Sequence, residues 1–198
     1  RVVHLQPMKW EKDWPIIGID DDKNGIGEPV MVYKKPNVGK KSFPIETPPD
    51  SDEFNVPKLG LQWQWHANPQ VTWGLPTSMG YYSLNCIPVP KEATTLYDVP
   101  NLLLQKMPSN EFTATAKIKF NARFDGESMG LVVMGLDYSY ICFKQESGKL
   151  YLSQKTAKNI DKKGMETESK PILIDNQKLY LQVKVKPGGI CTFYYSAD

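Results

Sequence analysis

Two stretches hold the side chains best placed to do chemistry. Gly60 to Pro69 reads GLQWQWHANP. In an extended strand Leu61, Trp63 and Trp65 fall on one side and Gln62, Gln64 and His66 on the other, because strand side chains alternate. The first row has the bulk to anchor a core. The second is a row of amide and imidazole groups that donate and accept hydrogen bonds, which suits a sugar with many hydroxyls and no charge. The wet face of an antiparallel sheet has the same composition. In the second stretch, Asp20, Asp22, Asn24 and Gly25 stand at positions one, three, five and six of a calcium-loop pattern. Oxygen ligands at alternate positions can wrap one hard cation, and the glycine permits the sharp turn. The twelfth position is Met31 rather than glutamate, so the loop is not an EF-hand, and Glu28 at the ninth would have to serve instead. A structural calcium ion is therefore the one cofactor the spacing allows, and none is required for chemistry. The competing reading is an acidic turn closed by Asx bonds.

Other reactive groups form no pattern. His4 and His66 are the only histidines, and neither has a Cys, Ser or Asp spaced for a triad or a metal cluster. Cys86, Cys142 and Cys191 lie too far apart for a zinc site. Their odd number leaves at least one free thiol, and three buried, inert thiols are expected over a single disulfide. Trp63, Trp65 and Trp73 could stack on sugar rings, but the face that two of them share with Leu61 argues for a core. Among Asp13, Glu28, Asp125, Glu127 and Asp137, spacing selects no acid/base pair.

These residues must be carried by β-structure. The chain has 198 residues, with 24 Lys+Arg against 22 Asp+Glu and a net charge of +2. That balance excludes a nucleic-acid partner bound by phosphate neutralisation. No apolar run approaches the roughly 20 residues of a membrane span, so no membrane partner is expected. The start, RVVHLQPMKW, has no apolar signal core and carries no secretion signal of its own. Residues 1–35 predict a few short strands, among them Val30 to Tyr33, too few to hold a core alone. Residues 36–58 contain five prolines among charged residues and read as a linker. From residue 59 onward the pattern is β. Phe112, Ala114, Ala116, Ile118 and Phe120 alternate with Thr113, Thr115, Lys117 and Lys119. Leu179, Leu181, Val183 and Val185 alternate with Tyr180, Gln182, Lys184 and Lys186, and Pro187-Gly188-Gly189 turns the chain toward Cys191, Phe193 and Tyr195. Leu150 to Leu152 predicts a short strand, and Lys155 to Lys170 a solvated loop. No helical stripe is present. An all-β, antiparallel sandwich or barrel follows.

The motif run resembles glycoside hydrolase family 43, the β-xylosidase and α-L-arabinofuranosidase group. RVVHLQPMKW, DWPIIGID and GEPV are similar to the end of that family's five-bladed β-propeller catalytic domain. KLGLQWQWHANP, WGLPTSMGYYSL, NLLLQKM and MGLVVMGLDYSYICF resemble its appended sandwich. The resemblance implies a concanavalin-like, two-sheet sandwich over 59–198, truncated at its C-terminus and preceded by the last propeller strands. It implies inverting hydrolysis of xylosyl or arabinosyl oligosaccharides, with the catalytic carboxylates upstream, so no catalytic residue is assigned here and the chain alone is expected to be inactive. Its implied partners are an oligosaccharide and the upstream propeller domain, with the sandwich bordering the pocket. Arg1 matches an arginine that reaches the substrate pocket in relatives. The alternative is a non-catalytic carbohydrate-binding module using Gln62, Gln64 and His66.

Overall fold

The computed structural model describes residues 3–198 apart from 38, 40, 41, 43, 45 and 163. Arg1 therefore lies outside the described residues. The chain divides into two compact units, Arg1–Glu46 and Thr47–Asp198.

In the first unit, strands β1 (Met8–Glu11) and β2 (Trp14–Ile17) form an antiparallel hairpin with Glu11 opposite Trp14. The two-residue loop places Lys12 at φ 49° and Asp13 at φ 64°. Positive φ at both positions is the backbone twist that a tight hairpin demands. One isolated bridge joins Ile19 to Glu28. The strand expected over Val30–Tyr33 is not formed. The side chain of Gln6 takes up the backbone of Val30, donating to its carbonyl at 3.1 Å and accepting its N–H at 2.8 Å. Met31 and Val32 are exposed, with no neighbouring strand to pair. Two strands and a bridge do not make a propeller blade, which has four strands, and no such blade is present among the described residues of this unit.

Among the described residues the second unit holds twelve strands: β3 (Trp63–Trp65), β4 (Gly74–Pro76), β5 (Tyr82–Leu84), β6 (Leu103–Gln105), β7 (Phe112–Lys119), β8 (Ser128–Val133), β9 (Tyr138–Glu146), β10 (Lys149–Ala157), β11 (Glu166–Glu168), β12 (Ile172–Ile174), β13 (Lys178–Lys186) and β14 (Ile190–Ser196). Strands β8 to β11 pair in sequence order, and β12 shares the edge of β10 with β11. Strand β13 lies between β14 and β7 in a three-stranded sheet. Every pairing is antiparallel.

Ile118, Phe120, Leu179 and Leu181 from one large sheet meet Ile141, Phe143 and Leu152 from the other. The Phe120 and Phe143 rings stand 5.6 Å apart across the interface. Phe143 and Leu181 are completely buried. This is the two-sheet sandwich expected from alternation: inward apolar rows from both sheets form one core. Two boundaries differ from expectation. The strand foreseen over Leu150–Leu152 runs the full Lys149–Ala157, because each of its residues pairs with β9 across a tight hairpin. The segment read as a solvated loop from Lys155 onward contains β11, which pairs Glu166 and Glu168 with Ala157 and Lys155. Lys155 is paired across the sheet with Glu166 and Glu168.

Candidate functional site

The polar row foreseen over Gln62, Gln64 and His66 is divided by a turn. The N–H of Trp63 donates to the Gly60 carbonyl at 3.2 Å, which places Leu61 and Gln62 in the turn and leaves β3 only three residues long. Leu61 is fully exposed instead of buried. Gln62 donates to Asp52 Oδ2 at 3.3 Å, and the indole of Trp63 donates to the same oxygen at 2.8 Å. Gln64 projects outward from β3 and is exposed. His66 lies just beyond the strand, with Nε2 3.0 Å from the Tyr97 carbonyl oxygen. Trp65 and Trp73 meet edge to face at 5.6 Å, and Tyr82 lies against Trp65. Trp73 is buried. These tryptophans form a small aromatic core under the hairpins rather than an open stacking surface.

In the acidic loop, Asp20 accepts the N–H groups of Asn24 and Gly25, both at 3.0 Å. Asp22 accepts from the backbone N–H and the side-chain amide of Asn24 at 3.2 and 2.8 Å, and Asn24 Oδ1 accepts from Ile26. Glu28 uses its backbone to bridge Ile19. The carboxylates close the turn on itself through Asx bonds. Among the described residues no three His, Cys, Asp or Glu side chains converge on one point.

A denser polar cluster lies elsewhere, on the face of the five-stranded sheet that points away from the sandwich core. Register sets its rows. Tyr138 is opposite Ala157, which is opposite Glu166; Tyr140 is opposite Lys155, which is opposite Glu168; Cys142 is opposite Ser153. The small methyl of Ala157 leaves room for Glu166 to reach both phenols. Tyr138 donates to it at 3.1 Å and Tyr140 at 3.0 Å. Lys155 lies 3.2 Å from Glu166 and 3.8 Å from Glu168, and Ser153 donates to Glu168 at 2.6 Å. Gly130 stands opposite Cys142 on β8, where a Cβ would come within 2.1 Å of the Ile141 carbonyl oxygen. A side chain does not fit that approach.

A turn packs on the Tyr138 end of this face. The 3-10 segment Leu96–Asp98 opens with a capping box: Thr95 Oγ1 accepts the Tyr97 N–H while Asp98 accepts the Thr95 N–H. The N–H groups of Thr94 and Thr95 hold the Asp98 carboxyl below its ordinary range. The turn is fixed to the sheet by the Leu96 N–H, which donates to the Tyr138 hydroxyl at 3.1 Å, and by the Tyr97 hydroxyl, which donates to the Gly135 carbonyl. The Tyr97 ring meets Tyr138 on one side and His66 on the other, at 6.1 and 6.2 Å. His66 thus joins the cluster through Tyr97, a link between residues too distant in sequence for spacing to show.

Burial pushes the Tyr140 phenol up strongly, with Glu166 adding to it. Burial likewise raises Tyr138, against the opposing Leu96 N–H. The Cys142 thiol is pushed up to about 11 by burial, so it is not a thiolate nucleophile at neutral pH. Burial draws Lys155 down, but Glu166 and Glu168 outweigh it and hold the ammonium above its ordinary value. Glu166 accepts from two phenols and faces an ammonium, so its lone pairs are engaged. The cluster clamps the turn to the sheet; it does not present a free base or a nucleophile. All three cysteines are free thiols, but only Cys142 is buried, and Cys86 is exposed, contrary to the expectation of burial for all three. Cys86 lies just beyond β5, with its Sγ 3.9 Å from the Ser128 carbonyl oxygen at the start of β8.

With this geometry in hand, similarity to known proteins is specific. Residues 51–198 match the family model of the beta xylosidase C-terminal concanavalin A-like domain, GH43_C2. The Beta-xylosidase of Formosa agariphila is 48% identical over 81 residues, which are 40% of this chain and 13% of that protein. The non-reducing end alpha-L-arabinofuranosidase BoGH43B of Bacteroides ovatus is 26% identical over 164 residues, 80% of this chain and 29% of that protein. This chain thus spans less than a third of either relative. A mutant of the GH43 protein BlXynB from Bacillus licheniformis, solved by crystallography, superposes with a TM-score of 0.66 at 21% identity, over 98% of this chain and 35% of that one. At that identity the likeness shows the fold. The chain belongs to the GH43 family of beta-xylosidase C-terminal concanavalin A-like domains.

Proposed function

We propose that this chain is the C-terminal portion of an inverting glycoside hydrolase that releases xylosyl or arabinosyl units from oligosaccharides of plant polysaccharide. The observation that carries this reading is the family match over residues 51–198, supported by relatives named for β-xylosidase and α-L-arabinofuranosidase activity. In this reading an upstream β-propeller supplies the general acid and the general base, roughly 6.5–9.5 Å apart in inverting enzymes. The sandwich braces that domain and borders its pocket. The clamped carboxylate of Glu166 agrees with a supporting role. So does the surface around β3 to β5, where Leu61, Val71, Leu75 and Met79 are exposed. Apolar surface of this kind is what an adjoining domain covers.

The test compares the full-length native protein with this chain alone on aryl β-xylosides and aryl α-L-arabinofuranosides, with the product anomer followed by NMR. The full-length protein is expected to hydrolyse at least one of them with inversion, and the chain alone neither. Turnover by the isolated chain, or none by the full-length protein on either substrate, would overturn the assignment.

A further inference from the structure

The outward face of the three-stranded sheet carries an arrangement that a supporting domain does not require. Its cross-strand rows are fixed by register. Lys117 on β7, Tyr180 on β13 and Ser196 on β14 form one row; Thr115, Gln182 and Tyr194 form the next; Thr113, Lys184 and Thr192 form the third. Gln182 donates to Thr115 Oγ1 at 3.0 Å, which orients its amide across the sheet. Lys117 Nζ lies 5.1 Å from the centre of the Tyr180 ring, and Lys184 Nζ 5.2 Å from that of Tyr194. A cleft of about 230 Å³ runs along this face, lined among others by Thr115, Tyr180, Gln182, Tyr194 and Ser196.

Charge on this face is one-sided. Lys117, Lys119, Lys178, Lys184 and Lys186 all point outward from β7 and β13, while β7, β13 and β14 contain no Asp or Glu. Among the described residues none of these five lysines forms an ion pair. Among the described residues lining the cleft, Asp198, beyond β14, is the one acidic side chain. Lysines on an outer strand face also keep sheets soluble, and the five would need no further explanation alone. Solubility does not account for two tyrosine rings, each under an ammonium, flanking an oriented amide inside a cleft.

We propose that this face is an accessory binding site for an acidic oligosaccharide, a chain of neutral sugars bearing uronate carboxylates. The proposal rests on the glycosidase reading above, since it assumes a protein that works on plant polysaccharide. Each group has a task. The rings of Tyr180 and Tyr194 offer apolar faces to the C–H side of a sugar ring. Gln182 and Thr115 supply a donor and acceptors for hydroxyls. Lys117 and Lys184 pair with carboxylates. An exposed cation–π contact is weak, so each lysine is free to leave its ring for a carboxylate as the sugar takes its place. The rows from Tyr180 to Lys184 span about 13 Å along the strand, room for a short oligosaccharide. Charge complementarity selects the acidic chain over its neutral counterpart.

The experiment is calorimetric titration of the full-length protein at low salt with three probes: a xylo-oligosaccharide bearing a uronate, the same oligosaccharide without it, and polyglutamate of matched charge. The uronate-bearing probe is expected to bind more tightly than the neutral one and more tightly than polyglutamate, which engages the lysines but not the rings or the amide. Tyr180→Ala should weaken the acidic sugar about tenfold, the loss of one aromatic contact. The double change Lys117→Met with Lys184→Met should erase the preference for the uronate while leaving neutral-sugar binding unchanged. Both variants should retain the melting temperature and aryl-glycoside hydrolysis of the parent. Equal binding of polyglutamate, or affinity for the acidic sugar unaltered by both variants, would overturn the accessory site. Hydrolysis of aryl xylosides that persists in either case would leave the glycosidase assignment standing, so the two failures are distinguishable.

Discussion

The two outward faces of the sandwich are built from the same alternating strands but meet different fates. On the five-stranded sheet the outward row is closed over. Tyr138, Cys142, Ser153 and Ala157 are buried, the phenols, ammonium and carboxylates satisfy one another, and the Leu96–Asp98 turn is fastened over the Tyr138 end. On the three-stranded sheet the outward row stays open, with Tyr194 46% exposed and, among the described residues, no ion pair from its lysines to a carboxylate. The difference teaches that polar side chains on a strand's outer face are not a single class. Where a covering segment excludes water, each polar group needs a partner, and the face becomes a clamp. Where water remains, the same groups are available to a ligand.

The largest expected contrast comes from making one change on both faces. Tyr138→Ala removes a buried ring together with its bonds to Glu166 and Leu96, and should cost about 3–5 kcal/mol of unfolding free energy. Tyr180→Ala on the open face should stay within about 0.5 kcal/mol. Urea unfolding of both variants checks this, and equal losses would erase the distinction between the faces. A smaller effect is expected from Glu166→Gln, about 1–3 kcal/mol, because Lys155 and the two phenols lose a shared anion in a partly buried setting. Lys184→Gln should change stability little. A Glu166 variant as stable as its parent would mean the network contributes orientation only.

The subtlest test is pH. Cys142 is raised from 9.0 to about 11, and Tyr138 and Tyr140 are raised above 10.0. Folding therefore favours their neutral forms, and that contribution is complete below pH 9. It shrinks as pH climbs from 9 toward 11 for the thiol, and above 10 for the phenols, as the unfolded chain ionises first. Lys155, held above 10.5 by Glu166 and Glu168 against the effect of burial, stabilises the fold below that pH and stops doing so once it deprotonates. All four point the same way. The melting temperature should be level through neutral pH and fall above pH 9, and Cys142→Ala combined with Tyr140→Phe should flatten the fall. A melting temperature unchanged to pH 10.5 in the parent would show that the face is not closed.

Particular residues mark how far the sequence could be read. The inward rows Ile118 and Phe120, and Leu179 to Val185, were legible because a two-residue period with one face of pure hydrocarbon has a single stable placement. Pro187-Gly188-Gly189 was legible as a turn, and both glycines adopt positive φ. Leu61 was not. The same alternation seemed to extend β3 backward, but the Gly60 carbonyl captured the Trp63 N–H and made a turn of it. Lys155 differs for a related reason: a lysine-rich stretch signals solvent until its partners, Glu166 and Glu168, are known to lie directly across the β10–β11 pairing. The Tyr138–Glu166 clamp joins residues 28 apart, and no local pattern encodes that distance.

The sequence by itself determined that this protein would be an antiparallel β-sandwich of glycosidase lineage, because alternation, turn residues and family motifs are local properties of the chain. Tertiary structure alone decided which polar rows are sealed and which are open. Burial of an outward face depends on whether a distant segment, here the turn at Leu96–Asp98, folds back over it, and that is settled by packing rather than by the composition of the strand.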